Sequence, residues 1–154
     1  MHPEVLLQLA HELAPLLEGM DWAIGGSLLL HRLRLEADPR DIDLVTSEAH
    51  FAGVRERLAV PLGAWTRPLS NKFVSRHFAC FTSEAGVRVD VMAGIAVRTH
   101  GRVCAWRFDP QTVEQADGLP WMRPQDWRDL YALFDRPERV RQLTDYLARA
   151  GEPR

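Results

Sequence analysis

Residues 21–46 read DWAIGGSLLLHRLRLEADPRDIDLVT, and this stretch decides which fold class the sequence predicts. The apolar run at its start predicts a short strand over residues 21–24, which leaves through a turn at Gly25-Gly26-Ser27. Leucines dominate the residues that follow, so we predict a helix over residues 27–35. Acidic and apolar residues alternate over residues 41–46, as in a strand with one buried face. The stretch therefore predicts a strand, a glycine turn, a helix and a second strand.

The second of these strands carries two aspartates. Side chains alternate along a strand, so Asp41 and Asp43 share one face while Ile42 and Leu44 face the core. At the backbone the two aspartates are about 6–7 Å apart, which lets both carboxylates converge on a hard divalent cation. The alternative is a solvated strand face beside Arg40. The pair taken alone leaves both interpretations open.

The glycine turn has two interpretations as well. Gly25 and Gly26 allow the backbone to approach a ligand closely, and the N-terminus of the next helix offers free N–H groups to an anion such as a phosphate. Ser27 adds a hydroxyl that can contact the same anion. Alternatively, the two glycines do no more than turn the chain.

A third aspartate lies on a later predicted strand, over residues 87–92. Val87, Val89 and Val91 point to one side of this strand, so Arg88, Asp90 and Met92 point to the other. Aspartate is unfavourable in strands and is tolerated where it faces water, pairs with an arginine or binds a metal. If Asp90 lies beside Asp41 and Asp43, the repulsion among three carboxylates requires cations, and their oxygen atoms suit Mg²⁺ or Mn²⁺.

The remaining pattern predicts further helices and strands. A leucine stripe predicts a helix over residues 4–19 that breaks near Ala14, because Pro15 removes a backbone donor. Ser47 fits the N-cap of a helix that reaches Leu58. The other predicted elements, in chain order, are a loop over 59–72, strands over 73–82 and 87–92 joined by a turn at Glu84-Ala85-Gly86, a hairpin over 95–108 that turns at His100-Gly101, and a helical region after Asp109-Pro110.

Together these elements predict an α+β fold, with a small mixed sheet, flanking helices and a helical C-terminal tail. We expect one domain over residues 1–154, with its core at about 1–108 and a helical extension at 109–154.

Composition excludes several classes of protein. Hydrophobic residues make up 46% of the 154 positions, which argues against disorder, and a net charge of −2 supplies no field that attracts nucleic acid. Apolar runs are too short to cross a bilayer and the N-terminus lacks a signal pattern, so we expect a cytoplasmic protein with no membrane partner. Cys80 and Cys104 are too few for a disulfide framework or a thiolate zinc site, and the six histidines show no metal-ligand spacing.

The order of these motifs resembles a known family. Gly25-Gly26-Ser27, thirteen further residues, Asp41-Ile42-Asp43-Leu44 and then Asp90 on a later strand resemble the DNA polymerase β-type nucleotidyltransferase superfamily. The Gly-Gly-Ser-Leu form of the turn and the leading helix are most similar to its aminoglycoside and AbiEii-toxin-like branches. The resemblance covers about residues 20–95 and implies a nucleotidyltransferase-like fold.

The resemblance also implies an activity and a role for each residue. Asp41, Asp43 and Asp90 would be the catalytic and metal-binding residues, with Mg²⁺ or Mn²⁺ as cofactor, in two ions. Gly25, Gly26 and Ser27 would bind the phosphates of a nucleoside triphosphate. The reaction would move a nucleoside monophosphate, with AMP expected, to a hydroxyl acceptor and release pyrophosphate.

The sequence leaves the acceptor open. A small molecule, tRNA and a protein hydroxyl all remain, because only residues 109–154 follow the catalytic region; a homodimer or a protein partner could complete the site. A non-catalytic module that binds nucleotide or a partner protein is the alternative function. A haloacid dehalogenase-like phosphatase is disfavoured, because that motif follows an apolar strand whereas residues 37–40 precede Asp41 here.

Two groups of side chains have open roles. Lys72, Arg76 and Arg88 either grip phosphates or form structural ion pairs. Several aromatic residues could stack on bases, although packing in the core is the favoured interpretation; these are Trp65, Trp106, Trp121, Trp127, Phe73, Phe78 and Phe81.

Overall fold

The computed structural model of the chain describes residues 2–151, so residues 1 and 152–154, the ends of the predicted domain, lie outside it. Two short 3₁₀ turns, Ala14–Leu17 and Pro110–Thr112, accompany the helices and strands. The elements in chain order are α1 Pro3–Leu13, β1 Trp22–Gly25, α2 Gly26–Arg32, β2 Ile42–Thr46, α3 Glu48–Leu62, β3 His77–Thr82, β4 Arg88–Ala93, β5 Ile95–Thr99, β6 Arg102–Trp106, β7 Glu114–Ala116, β8 Leu119–Trp121, α4 Pro124–Leu133 and α5 Pro137–Ala150.

Six strands form one mixed sheet in the order β3-β4-β2-β1-β8-β7. β2 is antiparallel to β1 and parallel to β4, and β8 is parallel to β1. The outer pairs β3–β4 and β7–β8 are antiparallel, and β5 and β6 form a separate two-stranded hairpin. The predicted α+β class, with a mixed sheet, flanking helices and helices at the C-terminal end, is confirmed.

The apolar alternation of β2 and β4 fixes which face of the sheet is buried. Ile42, Leu44, Val89 and Val91 are at most 1% exposed, and α3 packs against β2, β3 and β4. Full burial of each such side chain stabilises the fold by about 1.5–3 kcal/mol. A slip of one residue would expose all of them, so this packing fixes the register and sends the intervening aspartates to the opposite face.

Two predictions about the early helices hold in detail. The first helix ends at Leu13, and the chain continues as a 3₁₀ turn that contains Pro15, so the predicted break near Ala14 is confirmed. Ser47 lies at the N-cap of α3 as predicted, although its side chain makes no capping hydrogen bond.

The predicted loop over residues 59–72 is wrong at its start. α3 continues to Leu62, because Leu58 and Leu62 lie one turn apart and both pack toward the core. Pro61 falls in the last turn, where it removes one backbone donor, and Gly63 closes the helix by donating to the Ala59 carbonyl oxygen at 2.9 Å.

The strand predicted over 73–82 is also shorter than expected. β3 begins at His77, whereas the residues before it hydrogen-bond to β5: Val74 N–H donates to Ala96, and Arg98 N–H donates to Lys72. The predicted turns at residues 84–86 and at His100-Gly101 are confirmed.

The prediction that the chain turns helical after Asp109-Pro110 is wrong for residues 114–121. These residues form β7 and β8 around a two-residue turn at Asp117-Gly118, where both φ values are positive, at 55° and 77°. Positive φ at both positions matches the right-handed twist of a hairpin. β8 then pairs with β1, and Met122 N–H donates to the Ile24 carbonyl oxygen at 2.9 Å. The region after residue 109 therefore supplies two strands of the main sheet.

Candidate active site

The register of β1, β2 and β4 places three predicted site residues in one row across the sheet. Gly25 pairs with Asp43, and Asp43 pairs with Asp90. Residues paired on adjacent strands point to the same face, and Asp41 shares that face because it precedes Asp43 by two positions. The fold thus brings together three aspartates that are far apart in the sequence.

These aspartates line a cleft of about 780 Å³. Asp41 and Asp43 are half-buried, and Asp90 is 8% exposed. Ser27 lies on the same wall, whereas Gly25 and Gly26 are buried behind it. Of the three residues expected at the triphosphate, only Ser27 faces the cleft. Its Oγ accepts a hydrogen bond from the backbone N–H of Arg40 at 3.1 Å, which ties the glycine turn to the start of β2.

Close packing explains both glycines. A Cβ built on Gly25 would lie 2.4 Å from two atoms of the Trp127 ring, so α4 can approach β1 only where that residue is glycine. Gly26 has a φ of +63°, and a Cβ there would lie 2.0 Å from Oδ2 of Asp43. Gly25 therefore leaves room for the Trp127 ring, and Gly26 leaves room for the Asp43 carboxylate.

The row concentrates negative charge. Burial first, and then the neighbouring Asp90 and Asp41 carboxylates, raise the pKa of Asp43 to about 7. Burial and Asp90 also raise the pKa of Asp41, although the Arg88 guanidinium opposes the shift. Groups that resist ionisation for these reasons are stabilised in their charged form by an added cation.

Arg88 supplies one such positive charge. Its Nε lies 2.9 Å from Oδ1 and 3.1 Å from Oδ2 of Asp90, and this hydrogen bond raises the pKa of the guanidinium. Of the three basic residues with an open role, only Arg88 lines the cleft. Lys72 donates from Nζ to the Phe134 carbonyl oxygen at 2.5 Å, and Arg76 lies 3.6 Å from a carboxylate oxygen of Glu48. In this structure, each of the three is engaged by protein groups.

The carboxylates of the cleft are suitable ligands for a divalent ion, but their present positions do not allow them to bind one together. Asp41, Asp43 and Asp90 offer hard carboxylate oxygen atoms, the ligands that Mg²⁺ and Mn²⁺ prefer. Across residues 2–151, however, no group of three or more His, Cys, Asp or Glu side chains is placed to hold a metal ion as it stands. Both Asp90 oxygen atoms accept from Arg88 instead. The residues fit a divalent ion by their chemistry, once Asp90 is released from Arg88.

An aromatic wall, which we define as Phe73, Trp127, Tyr131 and Phe134, forms another part of the cleft. Its rings pack edge to face, with centroid distances of 5.2 Å for Phe73–Phe134 and 5.8 Å for Trp127–Tyr131. Trp127 and Tyr131 are buried and Phe73 is 41% exposed. The expected core role holds for Trp121, Trp127 and Phe81, whereas Trp65 is exposed.

Sequence reasoning missed Tyr131 and Phe134 as residues of the cleft. A signal was present, because positions 127, 131 and 134 follow the spacing of one helix face. It also missed an ion pair at the rim, where Arg139 donates from Nη2 to Oε2 of Glu36 at 2.9 Å. This pair joins the segment before β2 to α5 and lines the same cleft.

Comparison with known proteins finds similarity among solved structures. No protein-family model and no curated protein sequence matches the chain. Among solved structures, the chain is similar to a protein of Thermotoga maritima described as a "putative nucleotidyltransferase", with a TM-score of 0.71 and 20% sequence identity. The match covers 97% of this chain and 96% of the other. The chain therefore has a nucleotidyltransferase-like fold, and the likeness does not distinguish among the branches of that superfamily.

Over residues 2–151, no helix combines the length and the apolar character needed to span a membrane.

Proposed function

We propose that the chain is a metal-dependent nucleotidyltransferase that moves a nucleoside monophosphate from a nucleoside triphosphate to a hydroxyl group. The observation that carries this proposal is the row Gly25–Asp43–Asp90, whose two aspartates line a cleft together with Asp41 and Ser27. The fold shared with the Thermotoga maritima protein supports it. AMP, with ATP as donor, is the group that we expect to be transferred.

The three aspartates, Ser27 and Gly26 each have a role in this proposal. Asp41, Asp43 and Asp90 would hold the divalent ions, and Ser27 would contact the phosphates through its hydroxyl group. Mg²⁺ or Mn²⁺, when bound, neutralises the triphosphate and the developing charge on the leaving oxygen. Gly26 leaves room for the Asp43 carboxylate, which fixes that side chain for binding.

The proposed step is an in-line displacement at the α-phosphorus. The acceptor oxygen forms a bond to this phosphorus while the bond to the bridging oxygen breaks, and pyrophosphate leaves with the electron pair. The hydroxyl proton passes to a carboxylate oxygen of Asp90. We assign this role to Asp90, because it lines the cleft and stands next to Asp43 in the row.

Binding and transfer can be tested together. Calorimetry with ATP, CTP and UTP should give binding that depends on Mg²⁺, and α-labelled ATP should label an acceptor in a cell extract. Asp43→Asn should lower transfer at least about 100-fold, as expected when a group that stabilises transition-state charge is lost. Asp129→Asn, on an exposed side chain of α4, is the matched control for loss of one negative charge. Absence of nucleotide binding at millimolar concentration would refute the proposal.

A second candidate is a non-catalytic module that binds nucleotide or a partner protein. The observation that favours it is the hydrogen bonding of Asp90 to Arg88, which leaves the proposed base occupied. If this candidate is correct, wild type and Asp90→Asn should bind nucleotide equally well, and neither should label an acceptor above background.

A further inference from the structure

We propose that Arg88 is an exchangeable counterion: it occupies Asp90 until a divalent ion displaces it, and it then binds the phosphates of the nucleotide. This inference rests on the proposed function for the identity of the metal and the nucleotide. Arg88 thereby has two successive partners, first Asp90 and then the nucleotide phosphates, and this role is separate from those of the three aspartates and Ser27.

Arg88 and Asp90 form an ion pair within the cleft. Arg88 and Asp90 are two residues apart on β4, so both side chains point to the same face, and both line the cleft. The Asp90 side chain is 11% exposed and the Arg88 side chain is 45% exposed. The guanidinium therefore approaches the buried carboxylate from the solvent side.

Arg88 and a divalent ion compete for the Asp90 carboxylate. One nitrogen of Arg88 is within hydrogen-bond distance of both Asp90 oxygens. A divalent ion bound to the same carboxylate would stand close to the guanidinium, and the two positive charges would repel each other. Metal binding to Asp90 therefore requires Arg88 to turn away.

Once released from Asp90, Arg88 can bind phosphate. A guanidinium presents a planar fork that matches phosphate oxygen atoms, and the nucleotide brings these to the same cleft. Four other arginines also line the cleft, Arg40, Arg67, Arg136 and Arg139, and two of them are held by partners other than the three aspartates. Arg67 donates to backbone carbonyl oxygens of Ser75 and Arg76, and Arg139 donates to Glu36 and Gln142. Arg88 is paired with a proposed metal ligand, so metal binding alters its partner directly.

Arginine Nε–H resonances provide a test on the wild-type protein. Arg123 is the internal reference, because its Nε lies 2.9 Å from Asp126, the same distance as in the Arg88 pair, and neither residue lines the cleft. Mg²⁺ alone should shift or broaden the Arg88 signal and leave the Arg123 signal unchanged. Pyrophosphate added with Mg²⁺ should then give Arg88 a third signal position. No change on Arg88 at saturating Mg²⁺ would overturn the inference.

Binding of Mn²⁺, followed by electron paramagnetic resonance, tests the exchange with variants. Without nucleotide, Arg88→Gln should bind Mn²⁺ about tenfold more tightly than wild type, since a charged hydrogen bond no longer competes. The same variant should bind pyrophosphate about tenfold more weakly in the presence of Mn²⁺. Arg88→Lys keeps the positive charge and should recover part of the pyrophosphate binding. Arg76→Gln, whose arginine is 78% exposed and lies outside the cleft, is the matched control.

Arg88→Gln is expected to strengthen Mn²⁺ binding and to weaken pyrophosphate binding. These opposite effects distinguish the exchange of Arg88 between partners from a purely structural role. If Arg88 only held β4 in shape, Arg88→Gln would weaken both ligands, and that result would overturn the inference. Unchanged affinities in Arg88→Gln would overturn it as well, while leaving the proposed function intact. Failure of the wild type to bind Mn²⁺ with or without nucleotide would refute the proposed function itself. Thermal unfolding of each variant confirms that the comparison is made on folded protein.

Discussion

The α-carbon of Gly26 lies so close to the Asp43 carboxylate that a β-carbon there would fall 2.0 Å from Oδ2. The two residues belong to adjacent elements, since Gly26 begins α2 and Asp43 is on β2. Their contact links the glycine turn directly to the acidic row, because the absence of a side chain at one position sets the room for the carboxylate at the other.

Gly26→Ala is therefore expected to destabilise the protein more than an ordinary turn substitution. Gly86→Ala is the matched control, because Gly86 also has a positive φ, at +83°, but a Cβ there meets nothing within 4 Å. Left-handed backbone costs an alanine about 1–2 kcal/mol at both positions. The clash with Asp43 should add about 1–3 kcal/mol at Gly26, as overpacking does. Urea unfolding measures both variants, and equal losses would contradict the contact.

Stability without metal should depend on pH through Asp43. Its pKa in the folded protein, about 7, is above the ordinary value of 3.8, so the charged form is disfavoured by folding. The resulting loss in the free energy of unfolding is absent below about pH 4, grows as the pH rises toward 7 and is then constant. The melting temperature of metal-free protein should therefore fall across this range, and Asp43→Asn should remove that part of the fall.

Added Mg²⁺ tests the same group in the opposite direction. At pH 8 it should raise the melting temperature of the wild type and have little effect on Asp43→Asn, since binding to the folded state alone stabilises it. Asp129→Asn should behave like the wild type. A wild-type melting temperature that does not change with pH or Mg²⁺ would refute the prediction.

The ion pair between Glu36 and Arg139 should contribute to stability, because both side chains are about four-fifths buried. The hydrogen bond from Arg139 lowers the pKa of Glu36, so the pair stabilises the protein above the ordinary value of 4.5 and the contribution is lost as the pH falls below it. Glu36→Gln should cost about 1–2 kcal/mol at pH 7. A double-mutant cycle with Arg139→Gln measures the coupling, and purely additive losses would show that the contact is not energetically significant.

Phe73 should affect nucleotide binding or transfer more than folding. Its ring is 41% exposed on the cleft wall and packs edge to face on Phe134, so it is held in place while one side stays open to a ligand. Phe73→Ala should weaken binding of the nucleotide or of the acceptor about tenfold, as loss of a ring contact does. Val103→Ala, at a 57% exposed position of β6, controls for loss of surface apolar area. An unchanged KM for both substrates would show that the aromatic wall is not part of the substrate-binding site.

Local patterns were sufficient to predict the centre of the fold. The alternation in β2 and β4 and the glycine turn after β1 each involve fewer than ten residues, so the strands and the face of each aspartate could be predicted. β7 and β8 were missed, because strands of three residues are too short to show alternation. The Asp117-Gly118 pair was a usable signal for that hairpin.

The state of Arg88 could not be predicted from the sequence. Its placement beside Asp90 on one strand face followed from alternation, but the choice between an ion pair and a phosphate contact depends on side-chain rotamers and on ligands. The same holds for Tyr131 and Phe134, whose spacing marks a helix face without showing what that face covers. The roles of these residues depend on contacts between segments that are distant in the sequence.

The position of β8 has a consequence for the order in which the protein acquires its shape. β8 lies between β1 and β7 and pairs with β1, the strand that carries Gly25. A nascent chain that ends at residue 108 would leave backbone N–H and C=O groups of β1 open at a sheet edge, where they invite pairing with other chains. This edge of β1 is therefore covered only after residues 119–121 have left the ribosome, and until then it is a site at which the emerging chain can aggregate.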